Sequence, residues 1–385
     1  MHAFVFPDAA LARQAGRFVW LSVDTERPEN AAFLEKYPVE VWPSLLVVDP
    51  RDGRVVLRWV GAATVAQLLT LLDDAERALQ GGAAGADALL ARADRLYGEG
   101  AQAQAAAAYR DALGRAPQDW HRRGRAVESL LLSLWGSDAH EECVNVAQAE
   151  LPRLEQTPSR ANAAYLGLTC ALELPETDAA RADAMKPLEA EVRRAISLAT
   201  SHPPGLDVAA DDVSGWYEAL VSTREALGDG AGAKRTAADW ARYLEGEGAK
   251  AKTPEQRAVF DAHRLGAYIA LGEPERAVPM LEASEKALPQ DYNPPARLAI
   301  AYKAMGRYDE ALAAADRALA RVYGPRKIRV LQTRADILLA KGDSGGARAT
   351  LENALRQFES LPRAQQVDRV RDRLKKQIDA LAASH

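Results

Sequence analysis

The sequence predicts two regions of different fold class: a mixed α/β stretch over about the first 80 residues, then an all-α helical solenoid. Strand-length apolar runs lie only in the first region. After Gly81, Gly82 and Gly85 only helical periodicity remains, punctuated by Gly and Pro. That periodicity also repeats, which no single globular bundle requires.

In the first region, Phe18–Asp24 (FVWLSVD) is rich in β-branched and aromatic residues and reads as a strand. Pro28 suits the first turn of a helix running to Lys36. Ser44–Asp49 is a second strand, Asp49–Gly53 (DPRDG) a turn, and Arg54–Val60 a third strand antiparallel to the second. Thr64 is placed to cap a helix reaching Leu79, with Val65, Leu68, Leu69 and Leu72 on one face. Pro43 precedes the run Leu45–Val48 and has no N–H for a ladder, so it opens the second strand.

The repeat is read from spacing. Ala93, Leu96, Gly100, Ala105, Tyr109, Ala112 and Pro117 step along the chain just as Leu265, Tyr268, Gly272, Ala277, Leu281, Ser284 and Pro289 do. Ala299, Tyr302, Gly306, Ala311, Ala315 and Ala318 form another copy, and Ala335, Leu338, Gly342, Ala347, Leu351 and Ala354 a fourth. Small residues let two antiparallel helices touch, and Gly ends the first of them. Such hairpins bury a core only by stacking. Between Gly100 and Gly272 the pattern is degraded. There Ser129–Leu151, Ala161–Leu174, Ala179–Leu198 and Trp216–Leu244 read as helices with longer loops, and the charged last helix, Ala364–Leu381, reads as a solvating cap.

Composition narrows the function classes. The 385 residues carry a net charge of −5 with both signs interleaved, which argues against a nucleic-acid partner. No apolar run has the length of a membrane span. MHAFVF at the start lacks a cationic segment, so no signal peptide is read, and with only two cysteines the cytoplasm is the expected compartment.

The repeat, clearest in GRYDEA (Gly306–Ala311) followed by RALA (Arg317–Ala320), resembles the tetratricopeptide repeat. The stretch from Val5 to Gly61, with its hairpin and its proline before the second strand, resembles the thioredoxin-like family. That resemblance implies a cis bond at Trp42–Pro43, the position that faces the family's redox dithiol. The family's WCxxC is missing: Met1, Val5 and Phe6 match positions just beyond it, and no CxxC occurs in the chain. Thiol–disulfide exchange needs a low-pKa cysteine and a resolving partner. The family's central strand is missing with it, which leaves Phe18–Asp24 without a neighbour and leads to the expectation that the gene product starts upstream.

The expected organisation is a truncated thioredoxin-like domain over 1–80, a Gly-rich linker over 81–86, and a tetratricopeptide-type solenoid over 87–385. No catalytic residue, cofactor or metal ligand is expected. Cys143 and Cys170 read as buried free thiols, able to pair only if the fold joins them. His140–Cys143 (HEEC) points to different helix faces and makes no metal site. Gly228–Lys234 lacks the GK[ST] ending of a phosphate loop and reads as a helix–helix turn. Trp20, Trp42 and Trp59 read as core or sheet-face residues. Two functions follow. One is a protein-interaction module that binds a peptide or protein partner on the concave face of the solenoid. The other is a thiol–disulfide oxidoreductase whose dithiol lies upstream.

Overall fold

A computed structural model of the protein describes residues 1, 3–39, 41–80, 84–177 and 180–382. In chain order its elements are α1 (Ala9–Ala12), a 3-10 turn (Pro28–Asn30) leading into α2 (Ala31–Lys36), β1 (Ser44–Val48), β2 (Val55–Val60) and α3 (Val65–Leu79). Next come α4 (Ala86–Gly98), α5 (Gln102–Arg115), α6 (Arg123–Gly136), α7 (His140–Glu150), α8 (Pro158–Leu172), α9 (Arg181–Ala199), α10 (Ala210–Ala226) and α11 (Gly230–Ala249). The chain continues through α12 (Pro254–Ala258), α13 (Asp261–Leu271), α14 (Ala277–Ala287), α15 (Asn293–Ala304), α16 (Tyr308–Leu319), α17 (Pro325–Lys341) and α18 (Ser344–Glu359). A 3-10 turn (Arg363–Gln365) and α19 (Asp368–Ala382) complete it.

These elements fall into two compact units. The first contains Met1–Arg17 and Val39–Trp240, the second Phe18–Pro38 and Ala241–His385. Gly81 and Gly82 of the expected linker lie outside the described residues.

In the first unit β1 and β2 form an antiparallel hairpin that pairs Leu45 with Trp59 and Val47 with Leu57. Its turn closes through Gly53 at φ +71, with Gly53 N–H donating to Asp49 O at 2.8 Å. Hydrogen bonds from the Arg51 side chain and backbone hold the Asp49 carboxyl down to about 2. Pro43 opens β1 by contributing only its carbonyl, which accepts from Gly61 N–H at 2.9 Å. Thr64 and Gln67 form a reciprocal capping box at the start of α3. β2 packs on α4, with Val55 in van der Waals range of Gly98.

Phe18–Asp24 is not a strand. Among the described residues the sheet has two strands, β1 and β2, so the apolar run has no ladder to join. Val19 and Leu21 are 89% and 81% exposed. The expected α/β domain is thus reduced to a hairpin with helices around it.

The helical repeats follow the predicted spacing. Gly100, Gly272, Gly306 and Gly342 all take positive φ, between +73 and +91, at the ends of first helices. Ala93, Ala105, Ala112, Ala299, Ala311, Ala315, Ala335, Ala347 and Ala354 are inaccessible to solvent. In the second unit Ile328, Leu331, Leu338, Leu351, Phe358 and Leu374 complete one core cluster, with Leu374 of α19 closing it. The last helix is therefore a cap with a buried anchor. In the degraded stretch, Ser129–Leu151 divides into α6 and α7 at a turn where Asp138 takes φ +57. Gly228, at φ +73, turns α10 into α11, and Asp229 caps α11 by accepting from Gly232 N–H at 2.8 Å.

The cysteines are buried as expected but are not free. Cys143 of α7 and Cys170 of α8 are joined by a disulfide, S–S 2.04 Å, with both residues inaccessible. The antiparallel pair brings their Cα atoms to 6.1 Å, within bridging range, a proximity that sequence spacing does not encode.

Candidate protein-interaction face

In the first unit, alternate helices touch one another: α6 packs on α8, and α8 on α10. Each is the first helix of a hairpin, so one line of side chains recurs along a single face. Asp94, Glu128 and Asn162 lie on α4, α6 and α8, and Asn162 joins α8 to α6 through Glu128.

At the β2 end this face opens into a small cleft of about 30 Å³ lined by Arg58 and Trp59, Tyr97 of α4, Tyr109 of α5, and Arg125, Glu128 and Leu132 of α6. Beneath it lies a buried polar network. Asp94, 2% exposed, accepts from the Tyr109 hydroxyl at 2.8 Å and from Arg125 Nη2. The same Arg125 nitrogen donates to Arg58 O at 3.3 Å, which ties α6 to β2. The Arg58 guanidinium lies 4.7 Å from the Tyr97 ring centroid. Burial, reinforced by the Asp94 charge, pushes the Tyr109 hydroxyl well above its ordinary pKa. Burial opposes the Arg125 charge, yet Asp94 outweighs it and the guanidinium is raised.

Further along, Glu128 accepts from Asn162 Nδ2 at 3.0 Å, and burial raises its carboxyl. Asp212 of α10 is pushed up to about 7 by burial first, then by the charges of Asp211 and Glu128. Burial also raises Tyr165 of α8, with Glu218 adding to it. The stretch from α6 to α10 is a run of part-buried hydrogen-bonding groups, acidic in composition.

The residues singled out by sequence lie elsewhere. The Trp42–Pro43 bond is cis; Trp42 is 50% exposed, Pro43 is exposed, and neither lines the cleft. Trp20 is likewise exposed rather than core. Of the three tryptophans only Trp59 faces the cleft, its indole N–H donating to Ala62 O at 3.0 Å. His140, Glu141 and Glu142 gather no metal set, and no group of three metal-ligating side chains occurs among the described residues. Sequence reasoning missed Asp94, Arg125, Glu128, Asn162 and Asp212. The repeat gives no fixed signal for them, because the turn that closes on Leu96 O after α4 closes on Leu134 O after α6, off the repeat's step of about 34 residues.

The second unit repeats the arrangement, α13 packing on α15 and α15 on α17. The tetratricopeptide repeat family matches residues 292–360, which contain α15–α18. These residues are tetratricopeptide repeats. Their hairpins, α15–α16 and α17–α18, carry the two copies in which Gly306 and Gly342 end the first helix. A tetratricopeptide repeat protein from Parabacteroides merdae ATCC 43184 is similar in structure, at 11% identity and a TM-score of 0.48 over 77% of this chain and 98% of that one. The APC/C hetero-tetramer Cut9–Hcn1 is similar at 13% identity and 0.35, over 85% and 56%. Naa15/Naa10 bound to HypK-THB is similar at 14% identity and 0.31, over 83% and 50%. No curated protein matches the chain.

Proposed function

We propose that this chain is a protein-interaction module that holds an extended peptide or protein segment on the inner face built by α4, α6, α8 and α10. The observation that carries this reading is the line of part-buried polar side chains, Glu128, Asn162, Tyr165 and Asp212, along α6, α8 and α10. Asn162 offers both a donor and an acceptor to a passing backbone. The carboxyls of Glu128, Asp211, Asp212 and Glu218 favour a segment carrying Lys or Arg. Tetratricopeptide repeats generally mediate protein–protein contacts, which supports the same reading.

In this reading the hairpin and α3, the part of the chain that resembles a thioredoxin-like domain, serve as a wall of the cleft through Arg58 and Trp59 rather than as a redox centre. The two cysteines of this chain are bonded to each other and inaccessible, which supports a role without thiol exchange. Their disulfide also favours an oxidising compartment over the cytoplasm expected from sequence. No described helix is long and apolar enough to cross a membrane.

The test is to select binding peptides against the full chain from a random library and measure them against the E128A/N162A variant. A loss of affinity of about tenfold or more is expected, as for removal of a central contact pair. Equal affinity for both proteins contradicts the proposal.

A further inference from the structure

Within the second unit the segment Asp24–Arg27 is bound as a ligand peptide would be. The Tyr323 hydroxyl donates to Asp24 Oδ2 at 2.6 Å. Arg326 reads Glu26 twice, through its backbone N–H at 3.1 Å and its Nε at 3.0 Å, while its Nη1 is steadied by the Tyr292 hydroxyl at 3.0 Å. Gln365, 5% exposed, donates from Nε2 to the carbonyls of Thr25 and Arg27 at 2.9 and 3.1 Å. The Arg27 guanidinium lies 4.2 Å from the Tyr323 ring centroid. Gly324, at φ +61, makes the notch: a Cβ there would lie 2.2 Å from Glu26 O.

Two features mark this contact as exchangeable. Its outer contacts, Tyr323 with Asp24 and Arg27, are made of partly exposed polar groups, each of which is worth little in water, and the run leading into it leaves Val19 and Leu21 exposed. It is also incomplete, because Gln365 Oε1 is buried without a hydrogen-bond partner. A segment presenting one further donor would fit better than the chain's own.

We propose that Tyr323, Gly324, Arg326 and Gln365 form a recognition site for an Asp-x-Glu-Arg turn of a partner protein, and that Asp24–Arg27, itself a turn closed by Arg27 N–H donating to Asp24 O at 3.3 Å, occupies it in cis as the competitor. The site reads two acidic side chains, the carbonyls of Thr25 and Arg27 and one stacked guanidinium, which together specify sequence and a turn conformation. The proposal does not depend on the inner face of the first unit. Occupancy in cis sets the affinity seen in trans, since apparent affinity scales with the fraction of open sites.

The experiment uses the full chain and a fluorescein-labelled peptide with the sequence of residues 20–37. The D24A/E26A variant is expected to bind it at least about tenfold more tightly than wild type, because the competitor is weakened. Adding R326A and Q365A to that variant is expected to remove the gain. Equal affinity of wild type and D24A/E26A, or binding that survives R326A and Q365A, overturns the proposal. A second measurement needs no variant. Excess unlabelled peptide should raise amide exchange at residues 24–27 of the wild-type chain, and unchanged protection overturns the proposal.

Discussion

The Tyr109 hydroxyl and the Arg125 guanidinium share the Asp94 carboxylate, one on each oxygen, and so join α4, α5 and α6 beneath the cleft. Removing the carboxylate strands a guanidinium whose side chain is 13% exposed. Asp94→Ala is therefore expected to cost about 3–5 kcal/mol, the range for breaking a buried pair, whereas Tyr109→Phe should cost about 1 kcal/mol for one hydrogen bond. Urea denaturation of the two variants checks the order. A Tyr109→Phe loss as large as that of Asp94→Ala would show that the ion pair does not hold the three helices together.

Asp212 gives the inner face a pH dependence. Its folded pKa, raised to about 7, lies above the ordinary 3.8, so the folded chain keeps a proton that the unfolded chain releases in between. Stability associated with this group is complete below about pH 4 and is lost as pH rises through about 7. Asp212→Asn should match wild type in melting temperature near about pH 4 and exceed it by about pH 8. A constant difference across that range would show that Asp212 titrates normally.

Two glycines separate backbone from packing effects. Nothing lies within 4 Å of a Cβ added at Gly306, so Gly306→Ala bears only the left-handed conformation, about 1–2 kcal/mol. At Gly167 an added Cβ would meet Ala147 Cβ at 2.5 Å and Leu188 Cδ2 at 3.1 Å. Gly167→Ala forces α8 away from α7 and α9 and should cost about 1–3 kcal/mol, rising further if those helices cannot shift. Thermal melts with amide exchange distinguish the two: local opening at the α15–α16 turn for the first, loosening across α7–α9 for the second.

The Cys143–Cys170 bridge closes a loop of sequence separation 27. Under non-reducing conditions the denatured protein should show no free thiol. Cys143→Ser with Cys170→Ser should cost about 3 kcal/mol, the usual scale for a loop of this length. Two titratable thiols in the untreated, denatured protein would refute the bridge.

What the sequence made legible was whatever rests on local chemistry or on period. Thr64 as a cap, DPRDG as a turn, Pro43 as a strand opener and the glycines at 100, 272, 306 and 342 each carry their reason in one or a few residues. Phe18–Asp24 has the composition of a strand, but a strand also needs a partner, and pairing is not a local property. Cys143 and Cys170 sit on helices whose antiparallel approach depends on the connection from Leu151 to Thr157, outside the repeat pattern. The inner face was hidden for a different reason. Asp94, Glu128 and Asn162 differ in residue type and in their place along α4, α6 and α8, so no pattern along the chain relates them. The docking of Asp24 at Tyr323 spans 299 residues, and no pattern along the chain announces it.

The central claim is that the inner face of α4, α6, α8 and α10 holds a partner segment. The direct measurement is photo-crosslinking with a library-selected peptide and a benzophenone side chain placed on the full chain, at Leu132 in the cleft or at exposed Arg110 on α5. Crosslinking from position 132 and not from 110, competed by unlabelled peptide, is the predicted result. Equal crosslinking from both positions, or crosslinking from 110 alone, would contradict the account.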